Sequence, residues 1–318
     1  WGSGNPARCI TLNNKRERNN IADGGKVFAL AIFVPAVVSV ILPFIMYVSP
    51  SFLADETVRY WVGVFLSQFL LLASSVGYCV YGKVNIVKAT RLDRKIKWWH
   101  AALAIVLAFA LLCFNLPIQS AVTNFLAGLG LDMSAASAMP SLDNAGTVIL
   151  AVILVAVMPA FAEEIIYRGF ICNALSSGDR KISAKAVLIS AAIFAVMHQS
   201  PVQTIHPFIL GCVMATVYLA TGSLWTSVIL HFVNNFIVII LSAVAPGFET
   251  FVVANWWWIM LIAAAVIASV MYLFVKNAVS KSDDEIMPIT VEERNKSLPY
   301  FVAALFFCLF MWVFVLLS

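Results

Sequence analysis

Ionisable and amide side chains interrupt the apolar stretches of this chain mainly between residues 145 and 244. Such groups cost free energy inside a bilayer, so they indicate function by default. We expect them to converge on one water-holding chamber, where carboxylates and imidazoles can exchange protons with water. The alternative is that they only hold helices together through hydrogen bonds. The ionisable and amide residues in question are Glu163, Glu164, Arg168, His198, His231, Asn234 and Asn235.

Helical spacing predicts how the acidic pair is used. Glu164 and Arg168 are four residues apart, so they share a helix face and can neutralise each other. Glu163 points about 100° away and lacks that partner. Holding helices together does not require two adjacent glutamates. A G-x-S-x-G elbow and an H-E-x-x-H motif are both missing from the sequence, which removes the commonest serine hydrolase and zinc peptidase interpretations.

The same spacing groups the imidazoles with their neighbours. His231 and Asn235 lie four residues apart and are expected to face one cavity. Phe194 and His198 share a face as well, so the phenyl ring would form a wall below the imidazole. His206 lies at the edge of an apolar stretch, and we predict an interfacial ring that is half in water.

Helix lengths predict that these groups lie at similar depths. Glu163 is about 16 residues before a turn near residue 179, and His198 is about 19 residues after it, or roughly 24 and 28 Å along the helices. Asn235 is about 18 Å beyond the turn at 221–223. His231 is closer to that turn, so it reaches the same level only if the turn is sunk into the membrane.

The composition requires lipid as the solvent for much of the chain. Of its 318 residues, 62% are hydrophobic and only 11% are charged, with a mean hydropathy of +0.94. A helix crosses the hydrocarbon core with about 20 apolar residues. The sequence therefore predicts an all-α fold, a polytopic transmembrane helix bundle with eight or nine spans. The candidate spans are 27–48, 61–82, 98–119, 145–167, 184–200, 205–221, 224–244, 253–275 and 299–318.

Lysine and arginine alternate between the connections, which predicts the orientation. The leading segment and segments 83–97, 168–185 and 276–298 are rich in them, whereas the intervening connections contain only Arg59. We therefore predict a cytoplasmic N-terminus. Because the turn that follows Glu163 lies on the positive side, the site is expected to open toward the cytoplasm. A bacterial plasma membrane suits such a chain.

Three motifs on successive helices resemble those of the CAAX protease and bacteriocin-processing family of intramembrane proteases. The motif E-E-x-x-x-R stands at residues 163–168, F-x-x-x-H at 194–198 and H-x-x-x-N at 231–235. The resemblance covers about residues 145–240. It implies a membrane-embedded endopeptidase that acts on a membrane-associated or lipidated peptide or protein.

The resemblance also implies roles for individual residues. Glu163 would be the general base that takes a proton from water, and His198 would hold that water and relay the proton. His231 and Asn235 would donate hydrogen bonds to the oxyanion of the tetrahedral intermediate. Glu164 would tune Glu163. The predicted catalytic residues are thus Glu163, Glu164, His198, His231 and Asn235, with Arg168 and Phe194 in structural or tuning roles.

Four segments follow from these assignments. Residues 1–26 form a cytoplasmic N-terminal segment, whose first four residues look like a processing or cloning remnant. Residues 27–144 hold the first three transmembrane helices, and residues 145–244 form the catalytic core that resembles the family. Residues 245–318 hold the C-terminal transmembrane helices and the cytoplasmic loop 276–298.

Two alternatives stay open. The first places zinc among Glu163, His198 and His231, because two histidines and a carboxylate form a sound catalytic zinc set; otherwise no cofactor is expected. The second is a transporter, or a scaffold that binds a partner's membrane helix. The expected partners are membrane lipids and a membrane-associated peptide or protein substrate. Nucleic acid is not expected, since the net charge of +4 lies in the connections.

Overall fold

The helical character of the chain follows from its solvent, since lipid leaves backbone groups no partner outside their own helix. A computed structural model describes residues 20–49, 54–131, 139–281 and 288–317. It is 81% helical, and no strand occurs within those ranges. The predicted all-α polytopic bundle is confirmed. The predicted remnant at the N-terminus and part of the loop 276–298 lie outside the described residues.

The described helices are named here in chain order. They are α1 (Ile21–Val48), α2 (Glu56–Tyr81), α3 (Ile86–Ala89), α4 (Trp98–Gly128), α5 (Ala145–Leu175), α6 (Ala184–Met197), α7 (Ile205–Thr221), α8 (Leu224–Val244), α9 (Phe248–Ala254), α10 (Trp256–Lys276) and α11 (Val291–Leu317).

Helix length separates the membrane-crossing elements from a shorter pair. Among the described residues, seven helices are long and apolar enough to cross a membrane: α1, α2, α4, α5, α8, α10 and α11. Helices α6 and α7 were counted among the nine predicted spans, but at about 1.5 Å per residue they reach only roughly 21 and 26 Å. The hydrocarbon core is about 30 Å thick. They therefore form a short antiparallel hairpin that packs against the long helices on one side.

Side-chain caps set where several helices begin. Asn20 and Asp23 form a reciprocal capping box at the start of α1. Asp55 accepts from the Val58 N–H at α2, Asn144 from the Thr147 N–H at α5. Each cap satisfies a backbone donor that has no partner inside the helix. Polar residues thus stand where the apolar runs start.

Helix α5 is the centre of the bundle. It packs against α1, α2, α6, α7 and α8, while α4, α10 and α11 pack around this group. The largest buried apolar cluster takes residues from every described helix except α9, so the predicted segments share one core. Their boundaries at 144 and 244 remain a prediction.

The connections rich in lysine and arginine meet on one face of the bundle. Hydrogen bonds join the segments around residues 89–94, 173–181, 220–224 and 278–281. They run from Asn173 to Ala89, from Leu224 to Arg91, from Val279 to Ala220 and from Lys281 to Arg180. The basic connections therefore share one side of the molecule, as the alternation of charge predicted.

Candidate active site

A cavity of about 730 Å³ lies between α2, α4, α5, α6, α7 and α8. Its wall includes Glu163, His198, His231 and both asparagines of α8, Asn234 and Asn235. Side chains from three motifs that are far apart in sequence thus face one space. Glu164 and Arg168 are fully buried behind this wall.

Glu163 is the carboxylate exposed to the cavity. Its Oε1 accepts a hydrogen bond from Gln68 Nε2 at 3.2 Å. Its Oε2 lies 3.9 Å from His231 Nε2, too far for a direct hydrogen bond and close enough for an ion pair if the imidazole is protonated. Glu163 therefore faces the cavity with one oxygen held and the other opposite an imidazole.

Glu164 forms the expected pair with Arg168 and a second contact besides. Its Oε1 accepts from Arg168 Nη1 at 2.6 Å and lies 2.9 Å from His231 Nδ1. Arg168 also donates from Nη2 to the Gly211 carbonyl at 3.3 Å. Because the carboxylate oxygen is an acceptor, Nδ1 of His231 carries the proton. The buried pair thus fixes the tautomer of the imidazole that faces Glu163.

Phe194 connects the charged pair to both imidazoles. The Arg168 guanidinium lies over its ring, 4.4 Å from the centroid. The His198 ring stands perpendicular to it at 5.0 Å, and the His231 ring does so at 6.1 Å. The predicted wall below His198 is present, and it sets the orientation of His231 as well.

His198 lies at the C-terminal end of α6 and not inside a longer helix. The predicted span 184–200 ends at Met197, and His198 is the cap residue. Its Nδ1 lies 2.9 Å from the Phe194 carbonyl, which can only accept, so Nδ1 carries the proton. In the neutral ring, Nε2 then offers a lone pair.

Asn235 supplies a hydrogen bond to a backbone carbonyl of α5 that lacks its usual partner within the helix. Pro159 has no N–H to give to the carbonyl four residues earlier, which is that of Val155. Asn235 Nδ2 donates to this carbonyl at 2.9 Å. Asn234 Nδ2 donates to Asn235 Oδ1 at 3.1 Å and holds the amide in place. One hydrogen of the predicted oxyanion donor is therefore engaged, and its second hydrogen remains for a ligand.

Comparison with known proteins bears on this region. Residues 145–237 match the family model described as type II CAAX prenyl endopeptidase Rce1-like. No curated protein and no solved structure matches the chain significantly. The match contains all three motifs and most of the residues that line the cavity from α5 to α8. The match supports the predicted resemblance of this segment to the CAAX protease and bacteriocin-processing family. This likeness implies, in general, protease activity of the CAAX type within a membrane.

The family motifs meet at one depth because the α7–α8 turn is recessed. His231 is seven residues into α8 and Glu164 is eleven residues before the end of α5, or about 10 and 16 Å. Their contact places the turn at 221–223 roughly 6 Å deeper than the end of α5. Arg94 and Leu92 cover the turn with their carbonyls, which accept from Ser223 Oγ and Trp225 Nε1.

The cavity of this CAAX-type core opens on the face opposite to the basic connections. Its wall includes Tyr60, residues 139–142, Gln203 and Glu249, which all lie in or beside the connections poor in lysine and arginine. Within the described ranges, no residue of the basic connections lines it. The prediction that the site opens toward the positive side was wrong. The position of the turn after Glu163 shows only where α5 ends. The side on which the cavity opens depends on where the helices around it diverge.

Three polar residues of the cavity were not assigned to it from the sequence. Gln68 lies in an apolar span that has no ionisable group, so a search for charges passed over it. Asn115 in α4 was passed over for the same reason. His206, predicted to be half in water at the interface, lines the cavity beside Pro207. A search for amides inside apolar spans finds the first two.

The zinc alternative can be compared with the geometry. Among the described residues, no three histidine, cysteine, aspartate or glutamate side chains stand close enough to share a metal ion. The contacts of His231 Nδ1 with Glu164 and of His198 Nδ1 with a backbone carbonyl leave Nε2 of each ring, as in histidines that bind a metal. The distances between the side chains, and not these hydrogen bonds, therefore decide the comparison. Glu163, His198 and His231 as placed do not fit a three-ligand zinc set, so no step is routed through a metal.

Proposed function

We propose that the chain is an intramembrane endopeptidase that hydrolyses a peptide bond of a membrane-associated or lipidated peptide by means of water activated by Glu163. The observation that carries the proposal is the placement of Glu163. It faces a cavity inside the bundle, with Gln68 on one oxygen and His231 opposite the other. A carboxylate in that position serves as a base without competition from bulk water.

The first step is attack by water. Glu163 takes one proton while the oxygen bonds to the carbonyl carbon of the substrate, which gives a tetrahedral oxyanion. His198 holds the water through the lone pair of Nε2, the nitrogen left free by the contact of Nδ1 with Phe194. Both residues line the same cavity. The base thus comes from α5, and the residue that holds the attacking water lies at the end of α6.

The second step stabilises and collapses the intermediate. His231 in its doubly protonated form and the second Nδ2 hydrogen of Asn235 donate to the oxyanion. With His231 protonated, the two glutamates balance Arg168 and His231, so the buried cluster has no net charge. The proton on Glu163 then passes through His198 to the leaving nitrogen as the C–N bond breaks. The products are a free carboxylate and a free amine.

Purified protein in detergent allows a direct test. The probes are a fluorescence-quenched farnesylated C-a-a-X peptide and the same peptide without the farnesyl group. Wild type should cleave at least one of them. Glu163→Gln should slow cleavage at least about 100-fold, as loss of a general base does, and His198→Ala should do so as well. The two peptides together measure how much of the recognition depends on the lipid.

The matched control is Glu249→Gln. It removes a carboxylate from the same cavity but at its mouth, so cleavage should stay near the wild-type rate. If Glu163→Gln is folded and cleaves as fast as wild type, the proposed mechanism is wrong. If it also supports the cellular role of the protein, a transporter or scaffold is the better explanation.

A further inference from the structure

Asn115 is a buried amide with nothing to bind. It lies in α4 and is only 2% exposed. Within the described part of the chain, neither Nδ2 nor Oδ1 has a hydrogen-bond partner. Buried polar groups are nearly always paired, because an unpaired group loses its water without compensation. This exception lies on the wall of the cavity that contains Glu163.

Asn115 belongs to a stripe on one face of α4. Leu112, Leu116 and Gln119 also line the cavity, and these positions share a helix face at spacings of three and four residues. The stripe alternates apolar and amide side chains along the cavity. The same face thus offers apolar contact and hydrogen bonds, as a surface that holds an extended peptide does.

Further unpaired atoms on the cavity wall are acceptors. Gln68 Oε1 and Asn234 Oδ1 are buried and have no hydrogen-bond partner among the described residues. Gln68 uses its nitrogen on Glu163, and Asn234 uses its nitrogen on Asn235. Their free oxygens suit N–H donors. An anion or a divalent cation is a poor match, because the Asn115 amide offers one donor and one acceptor side by side without charge.

We infer that Asn115 binds the backbone of the substrate, with Nδ2 donating to a peptide carbonyl and Oδ1 accepting from a peptide N–H. A residue in extended conformation presents its own N–H and C=O on the same side and so offers this complementary pair. The inference rests on the proposed function, because it names the group that recognises the peptide which Glu163 acts upon. Asn115 is then a substrate-binding residue on α4, in the wall of the cavity that the three motifs also line.

Stability separates this role from a structural one. Asn115→Leu keeps the volume and removes both unpaired polar atoms, so the melting temperature in detergent should equal or exceed that of wild type. If Asn115 instead supports the fold, the melting temperature should fall. Asn124→Leu is the matched control, since Asn124 lies on the same helix and is exposed.

Binding is measured without turnover. A fluorescently labelled farnesylated C-a-a-X peptide is titrated into Glu163→Gln, and into Glu163→Gln with Asn115→Leu or Asn124→Leu. Replacement of Asn115 should raise the dissociation constant about tenfold, as expected for the loss of two neutral hydrogen bonds. The Asn124 variant should bind like its parent. Because no cleavage is required, failure of the hydrolytic mechanism leaves this result readable.

A peptide series with single ester bonds identifies the contact. An ester replaces one backbone N–H by oxygen, and at the bonded position it should reduce the penalty of Asn115→Leu, while esters elsewhere leave it unchanged. Equal affinity with and without Asn115, or one penalty that no ester alters, would overturn the inference. A peptide that fails to bind even the Glu163→Gln parent would overturn it as well.

Discussion

At the residue scale, Glu164 is a fully buried charged group of the site. It lies between Arg168 and His231 and accepts from both through one oxygen. A buried charge of this kind is tolerated only while it is paired. Its adjacent glutamate performs the proposed chemistry, so two identical residues have opposite roles. The difference arises because one faces α8 and Arg168, and the other faces the cavity.

Replacement of Arg168 should destabilise the fold. Arg168→Met leaves the Glu164 carboxylate buried with His231 as its remaining partner, and we expect a loss of about 3–5 kcal/mol in the free energy of unfolding. Arg168→Lys should recover only part of this, because a single ammonium cannot reproduce the contacts to Glu164 and the Gly211 carbonyl. Thermal unfolding in detergent measures both.

Two variants control this measurement. Lys185→Met changes an exposed cation at the start of α6 and should lie within about 0.5 kcal/mol of wild type. Combining Arg168→Met with Glu164→Gln removes the unpaired charge and should regain part of the loss. Wild-type stability of Arg168→Met alone would contradict the assignment.

Chelation distinguishes the glutamate mechanism from the zinc alternative. The three ligands that zinc needs are not grouped in the described chain, and we expect peptide cleavage to be unchanged after treatment with a strong chelator. Measured rates before treatment, after treatment and after addition of zinc check this. Activity that disappears with the chelator and returns with zinc would favour a metal among Glu163, His198 and His231.

At the element scale, the site depends on irregular and closely packed helices. Helix α5 contains wider π-helical turns at Val152–Val157 and Ile165–Cys172, on both sides of the two glutamates; such turns are frequent at functional sites. Helix α7 approaches α6 closely at Gly211, where a Cβ would stand 3.1 Å from Ala191. This approach brings the Gly211 carbonyl to Arg168.

The link between Pro159 and Asn235 can be tested by a double-mutant cycle. Asn235→Leu should cost about 1 kcal/mol or more in unfolding free energy, because the Val155 carbonyl loses its donor. Pro159→Ala supplies a backbone N–H to that carbonyl, so the same change should cost less in the Pro159→Ala background. Tryptophan fluorescence during thermal unfolding follows all four proteins. Costs that simply add would show that the two residues act independently.

At the scale of the whole molecule, the basic connections occupy one face and the cavity opens on the other. We propose that the basic face is cytoplasmic, as the excess of lysine and arginine predicts, in a bacterial plasma membrane. The short α6–α7 hairpin does not alter this orientation, since it enters and leaves on the same face. The cavity then opens away from the cytoplasm.

Accessibility in intact cells tests this arrangement. Gln203→Cys lies on the cavity wall and Lys95→Cys lies in a basic connection; both are placed in a Cys9→Ser background. A membrane-impermeant maleimide should label Gln203→Cys from outside and leave Lys95→Cys unlabelled until the cells are lysed. Labelling of Lys95→Cys alone in intact cells would reverse the orientation.

Much of this protein follows from its sequence because lipid imposes strong rules. Apolar runs must be helices, since backbone groups have no other partners in hydrocarbon. Polar side chains inside those runs stand out, and their spacing predicted the contact of Glu164 with Arg168 and the contact of the Phe194 ring with His198. The likeness of the core to the CAAX protease and bacteriocin-processing family was predicted from three short motifs, and the family model matches the same region.

The tertiary structure decided what periodicity cannot express. Three features depend on how far each helix is shifted along its neighbours. They are the contact of His231 with Glu164, the hydrogen bond from Asn235 to the Val155 carbonyl that Pro159 cannot bind, and the side on which the cavity opens. Spacing along one helix fixes angles on that helix alone. Relative depth is set by packing between helices, as at Gly211 and at the recessed turn 221–223. Packing between helices also places Gln68 and Asn115 in the wall of the cavity.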